Sequence, residues 1–243
     1  MSETKDRLDN LLVSLGLVET RAKARALIMA GEVTVEGRQI IKPGTMVPVG
    51  SSISISQPPP YVSRGGLKLE YALDHFHLDV TNKIAADIGA STGGFTDCLL
   101  KRGAKKVYAI DVGTGQLDYR LRKDPRVVVM EGINARFPFS LPEKVDLITI
   151  DVSFISVEKI IPPVATLLGE KGYLVVLIKP QFEARKEEVG KRGVIRNPEI
   201  QARVLGRFIH WLTNNGFRLR GLVPSPVQGA SGNQEFLLLL LRK

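Results

Sequence analysis

The chain has 243 residues, 44% of them hydrophobic and 24% charged, and its 34 Lys and Arg against 25 Asp and Glu give a net charge of +9. This is the composition of a folded globular protein with room for one catalytic domain and a small module, and it excludes a disordered or fibrous chain. A single cysteine, Cys98, excludes an internal disulfide and argues against a cysteine-based zinc site, while the longest apolar run, Phe236 to Leu241, is far too short to span a bilayer.

Met1 to Lys5 leads into no apolar signal core, so a cytoplasmic protein is expected. Leu8, Leu11, Leu12 and Leu15 repeat at helical spacing up to Gly16. Thr20 is a candidate N-cap for a second helix through Ala30, with Ala22, Ala26, Leu27 and Ala30 toward a core and Gly31 as its stop. Short strands are expected at Val33 to Val35, Gln39 to Ile41 and Ser52 to Ser56, separated by Glu36-Gly37 and Pro43-Gly44 turns. Gln57-Pro58-Pro59-Pro60 reads as a stiff connector, which gives an α+β domain at 1–57, a linker at 58–63 and a larger domain at 64–243. Residues 1–60 carry seven basic and six acidic side chains, so +8 of the net charge falls on residues 61–243. A basic surplus of this size points to an anionic partner such as RNA.

Beyond Lys83, apolar strands alternate with helices: Ile84 to Ile88, Val107 to Ile110, Val127 to Met130, Leu147 to Ile150 and Leu174 to Ile178. The pattern predicts a mostly parallel, Rossmann-like α/β sheet, with Gly216 to Leu222 and Glu235 to Leu241 as a closing strand pair. The first strand runs into Asp87-Ile88-Gly89-Ala90-Ser91-Thr92-Gly93-Gly94-Phe95-Thr96, a glycine-rich turn into a helix. Such a turn lets the backbone approach a nucleotide. Asp111, 24 positions beyond Asp87, ends the next strand where an acid binds a ribose diol, with Val112 beside it, and Asn134 follows the third strand as a candidate contact for an adenine. The loop has no G-x-G-x-x-G, and Asp87 ahead of the glycines favours S-adenosylmethionine over NAD. The cofactor candidates are therefore Asp87, Gly89, Ala90, Ser91, Gly93, Gly94, Phe95, Thr96, Asp111, Val112 and Asn134.

Three strand ends carry polar residues where ligands of open α/β sheets gather: Asp151, Lys179 and Glu235. Lys68, in Ser63-Arg64-Gly65-Gly66-Leu67-Lys68, sits on the segment leading into the domain. Lys68, Asp151, Lys179 and Glu235, in that order around the glycine loop, resemble the Lys-Asp-Lys-Glu tetrad of the FtsJ-type ribose 2′-O-methyltransferases. The segments around them, including Asp151 to Ser156, Lys179-Pro180-Gln181-Phe182-Glu183 and Gly232-Asn233-Gln234-Glu235-Phe236, are similar to the TlyA family, whose members are often labelled hemolysins. Arg7 to Gly37 resembles the S4 RNA-binding domain that this family carries at its N-terminus.

The resemblance implies a class I methyltransferase fold with a seven-stranded sheet, S-adenosylmethionine as donor, and cytidine 2′-hydroxyls of ribosomal RNA as acceptors, on free RNA or on ribosomal subunits. Lys179 is the candidate to take or steer the hydroxyl proton, Asp151 to orient Lys179, and Glu235 to position Lys68 or the ribose. Arg7, Arg21, Lys23, Arg25, Arg38 and Arg64 are the candidate RNA contacts. No metal is expected, since His75 and His77 lie in a polar connection. Rival readings are an assembly factor without activity, a membrane-active hemolysin, for which no spanning or strongly amphipathic basic helix is found, and an NAD-dependent oxidoreductase.

Overall fold

The fold is that of a computed structural model, which describes residues 4–56, 59–229 and 232–242. Gln57 and Pro58, both of the expected connector region, lie outside the described residues. The chain divides into two compact units, 1–60 and 61–243.

In the first unit, strand β1 (Lys5–Arg7) leads into helices α1 (Leu8–Ser14) and α2 (Arg21–Met29), followed by β2 (Val33–Val35), β3 (Arg38–Gln39), β4 (Met46–Pro48) and β5 (Ile53–Ile55). The Thr20 hydroxyl accepts from Lys23 N at 3.2 Å and starts α2. Leu8, Leu11, Leu12, Ala24, Ile28, Val33 and Val47 form the core. The inward face of α2 differs in part from the expected one: Leu27 packs against the core as expected, but Ala24 and Ile28 are the buried residues, while Ala22, Ala26 and Ala30 are exposed. A bulky Ile gains far more from burial than an alanine does, so Ile28 sets the phase of the helix. β1 and β4, which pair antiparallel with Asp6 opposite Val47, are not legible as strands because β1 is wholly polar and β4 ends in a proline.

The second unit begins at Tyr61, which the sequence placed in the connector and which is buried against the core of this unit. Its elements are α3 (Gly65–His75), β6 (Ile84–Ile88), α4 (Gly94–Lys101), β7 (Lys106–Asp111), α5 (Tyr119–Lys123), β8 (Val127–Glu131), β9 (Val145–Ile150), α6 (Ile161–Ala165), β10 (Leu168–Ile178), α7 (Pro180–Glu183), α8 (Pro198–Asn214), β11 (Phe217–Pro224) and β12 (Phe236–Arg242). They build one seven-stranded sheet in the order β11-β12-β10-β9-β6-β7-β8. β10, β9, β6, β7 and β8 are parallel, and β12 runs antiparallel to both its neighbours. The central strands are apolar on both faces because helices cover both. Val176 and Ile178 pack with Phe208 and Leu212 on one face, while Val175 and Leu177 pack with Leu69, Leu73 and Leu99 on the other.

The chain leaves β6 toward β7 and β8, then returns to form β9 on the other side of β6. That reversal opens a crevice beyond the carboxyl ends of β6 and β9, where open α/β sheets bind ligands. Among the described residues no helix is long and apolar enough to cross a membrane.

Candidate active site

The glycine turn after β6 is shaped by packing. Gly89 has φ +82, and a Cβ there would stand 2.3 Å from the carbonyl oxygen of Asp151, so only glycine lets the loop lie against the end of β9. Gly93 has φ +96 and faces Leu117 and Leu121, away from the crevice. Asp87 is also placed otherwise than expected. It is fully buried, and its carboxylate accepts from Thr96 Oγ1 at 2.7 Å and Thr149 Oγ1 at 2.9 Å. Burial pushes its pKa up to about 6. Asp87, Gly93 and Thr96 thus stand behind the loop and brace it, and none of them lines the cavities.

Two cavities open over the strand ends. One, of about 520 Å³, is lined by Gly89, Ser91, Asp111, Val112, Ile133, Asn134, Asp151 and Val152 among others. The Asp111 carboxylate on its wall accepts from Ser91 N at 2.8 Å and from Gly113 N at 2.7 Å. Each carboxylate oxygen keeps a further lone pair, so the group can still receive a ribose diol. With Ile133, Ala135 and Val152 as apolar walls, the size and donor set suit the adenosine part of S-adenosylmethionine. The other cavity, of about 600 Å³, is lined by Arg64, Lys68, Ala90, Gly94, Phe95, Asp151, Lys179, Arg192 and Glu235 among others. The two share Gly89, Ser91, Asp151, Ser153 and Phe154.

The three polar residues of the strand ends and Lys68 of α3 form two ion pairs on this second cavity. Lys68 Nζ donates to Glu235 Oε2 at 2.5 Å, and both residues are buried. Lys179 Nζ lies 2.6 Å from Asp151 Oδ1 and donates its directed hydrogen bond to Ser153 Oγ at 2.9 Å. The Asp151 contact is one of charge and not of hydrogen-bond alignment, since Oδ1 accepts no properly directed bond. Glu183 follows Lys179 on α7. Its carboxylate accepts from Ser156 Oγ at 2.5 Å and Val157 N at 2.9 Å, tying the loop after β9 to α7, and burial raises its pKa.

Sequence reasoning assigned no task to Phe154, Phe182, Gln181, Ser153, Arg192 or Asn233, all of which line the second cavity. Phe154 is 92% exposed and left-handed at φ 63, and its ring centroid is 5.1 Å from that of Phe182. The signal was an aromatic inside the polar stretch Asp151 to Ser156, but its exposure could not be read from periodicity. Arg136 and Lys159 border a further recess that the same two rings line.

In the first unit, Arg7 and Arg21 converge on the buried Asp9, at 3.0 and 3.1 Å, while Lys23 pairs with Glu19 at 3.6 Å. Arg25, Arg38 and Arg64 are exposed. Among the described residues no group of His, Cys, Asp and Glu is arranged to hold a metal.

The strand order and the position of the crevice define a class I methyltransferase fold. A fully parallel dinucleotide sheet would lack β12 between β10 and β11. The profile of the FtsJ-like methyltransferases matches residues 61–242, and that of the S4 domain matches residues 6–53. A curated Bacillus subtilis relative provisionally named as an rRNA methyltransferase, YqxC, is 49% identical over 99% of this chain and 87% of its own. The 16S/23S rRNA (cytidine-2′-O)-methyltransferase TlyA of Mycobacterium tuberculosis is 41% identical over 96% and 89%. A solved Streptococcus thermophilus protein, provisionally named a hemolysin, is 44% identical with a TM-score of 0.75, covering 100% of this chain and 90% of that one. The chain belongs to the FtsJ-like methyltransferase family and carries an S4 domain ahead of the catalytic one.

Proposed function

We propose that the protein methylates cytidine 2′-hydroxyls of ribosomal RNA with S-adenosylmethionine as donor. The observation that carries this reading is the pair of lysine–carboxylate contacts set on a second cavity that joins the nucleotide-sized one at Gly89, Asp151 and Ser153. The relatives named as rRNA methyltransferases supply the substrate class.

S-adenosylmethionine would bring a methyl group made electrophilic by its sulfonium, held by the loop at 89–91 and by Asp111, Val112 and Asn134. Lys179, fixed by Asp151 and Ser153, faces the incoming ribose and steers its 2′-hydroxyl. Fixing the hydroxyl in line with the methyl removes much of the entropic barrier to transfer. With the donor bound, a lone pair of that oxygen would take the methyl carbon as the carbon–sulfur bond breaks and S-adenosylhomocysteine leaves, while the hydroxyl proton would pass toward the Lys179 side or to water. Lys68, locked to Glu235, closes the opposite wall. Phe154 and Phe182 offer a stacking surface for the base of the target nucleotide. Arg7, Arg21, Lys23, Arg25 and Arg38 of the S4 domain, and Arg64, are assigned to the RNA backbone.

The test is transfer of labelled methyl from S-adenosylmethionine to ribosomal subunits and free rRNA lacking the modification, followed by nuclease mapping. Label on a cytidine ribose that is lost in Lys179→Ala supports the reading. Binding of S-adenosylmethionine without transfer to any RNA, or full activity of Lys179→Ala, overturns it.

A further inference from the structure

The charged groups lining the second cavity do not cancel. Lys68 is matched by Glu235 and Lys179 by Asp151, which leaves Arg64 and Arg192 with no carboxylate partner among the described residues. Arg64 begins α3, whereas Arg192 sits on the loop between α7 and α8 and reaches the cavity from the opposite side of the sequence.

That loop is held in place at both ends. Glu188 accepts from Arg207 of α8 at 2.8 and 2.6 Å, and this arginine beside it holds its carboxyl down at about 2. Near the cavity, the buried Asn233 clamps the backbone with both atoms of its amide. Nδ2 donates to Gly193 O at 2.9 Å, and Oδ1 accepts from Ile195 N at 2.9 Å. Asn233 is two residues before Glu235, so one short segment fixes both the loop and the carboxylate paired to Lys68. Between these clamps Arg192 is left-handed at φ 65 and ψ 20, a conformation that glycine adopts freely and arginine does not. What the arginine adds there is a guanidinium on the wall beside the tetrad.

We propose that Arg192 binds a backbone phosphate flanking the methylated ribose, with Asn233 as its positioning residue. The guanidinium fork matches phosphate oxygens in a bidentate way. A phosphodiester is the anion that accompanies every ribose of an RNA chain, and it would sit opposite the Lys179 that steers the hydroxyl. The inference rests on the RNA-methyltransferase reading, and it adds which side chain of the cavity holds the RNA backbone beside the target ribose.

The test compares full-length wild type, Arg192→Ala, Arg192→Lys, Asn233→Asp and the Arg192→Ala/Asn233→Asp double variant. For each, equilibrium binding to 23S and 16S rRNA fragments is measured over a salt series, with S-adenosylmethionine affinity and thermal melting in parallel. Arg192→Ala is expected to weaken RNA binding about tenfold and to lower the slope of log affinity against log salt by about one, as for one lost phosphate contact. S-adenosylmethionine affinity should stay as in wild type, and Arg192→Lys should recover the slope. Asn233→Asp should weaken RNA binding in the wild-type background and change nothing further when Arg192 is already absent. Unchanged RNA affinity and slope in a folded Arg192→Ala overturns the assignment. Loss of S-adenosylmethionine affinity with RNA binding kept overturns it too, by giving Arg192 to the carboxylate of the donor. Failure of methyl transfer by the wild type would count against the parent reading alone, since the binding comparison needs no turnover.

Discussion

Lys68 and Glu235, 167 positions apart in the chain, meet at 2.5 Å with 8% and 3% of their surface exposed. A pair buried this well stabilises the fold little compared with apolar residues of the same volume, yet removing one partner strands the other charge in a low dielectric. Glu235→Ala should therefore lower stability by roughly 3–5 kcal/mol, seen as a fall in the denaturant midpoint. Lys68→Met/Glu235→Leu should regain most of that stability, and both variants should lose methyl transfer. A stable and active double variant would show that the pair only supports the fold.

Asp87 gives a prediction with the opposite sign from most acidic residues. Its folded pKa is raised to about 6 by burial, above the value of an unfolded aspartate near 4. The favourable contribution is complete below pH 4 and is lost as pH rises through 6, because the carboxyl must then ionise among the hydroxyls of Thr96 and Thr149. Asp87→Asn should melt higher than wild type at pH 8, with the gap closing at pH 4.5. Equal melting temperatures at both pH values would show that the carboxylate is satisfied where it stands.

Phe154 carries backbone strain and almost full exposure together. Phe154→Gly should raise stability by about 1 kcal/mol, since the left-handed conformation costs glycine nothing. The same change should raise KM for RNA about tenfold, as base stacking on an aromatic contributes about 1–3 kcal/mol. Phe154→Trp should keep the low KM. A glycine variant with wild-type KM would remove Phe154 from RNA binding.

The parallel sheet was legible because its strands are short apolar runs ended by Gly89, Asp111, Asp151 and Lys179, and these residue types at strand ends have few other uses. The side chains that brace a site leave a weaker trace. Asp87 looks like a ligand of the cofactor by position, and only its burial against Thr96 and Thr149 turns it into a support. Arg192 and Asn233 lie 41 positions apart, and no local pattern announces that the Asn233 amide clamps the backbone on either side of Val194. In the first unit the sequence leaves the phase of α2 open, because Ala22, Ala26 and Ala30 match the helical period as well as Ala24 and Ile28 do. Pattern fixes period, while bulk decides which face turns inward.

Asp9 shows how a buried acid organises a surface that binds RNA in the proposed reading. Its side chain is fully buried and accepts from Arg7 Nε and Nη2 at 3.0 Å and from Arg21 Nε at 3.1 Å, so two cations are held side by side with about half of each exposed. The Arg7 hydrogen bond is the first cause that holds the Asp9 carboxyl down at about 2. A carboxyl depressed in this way contributes stability that is present above pH 4 and lost as pH falls toward 2. Asp9→Asn should flatten that acid limb of the stability curve. It should also release both arginines from their fixed geometry, weakening RNA binding even though the net charge becomes more positive. Simple electrostatics predicts tighter binding from the added positive charge. Affinity for rRNA fragments at two salt concentrations therefore separates the two accounts: weaker binding by Asp9→Asn shows that placement of Arg7 and Arg21 matters, and tighter binding shows that only their charge does.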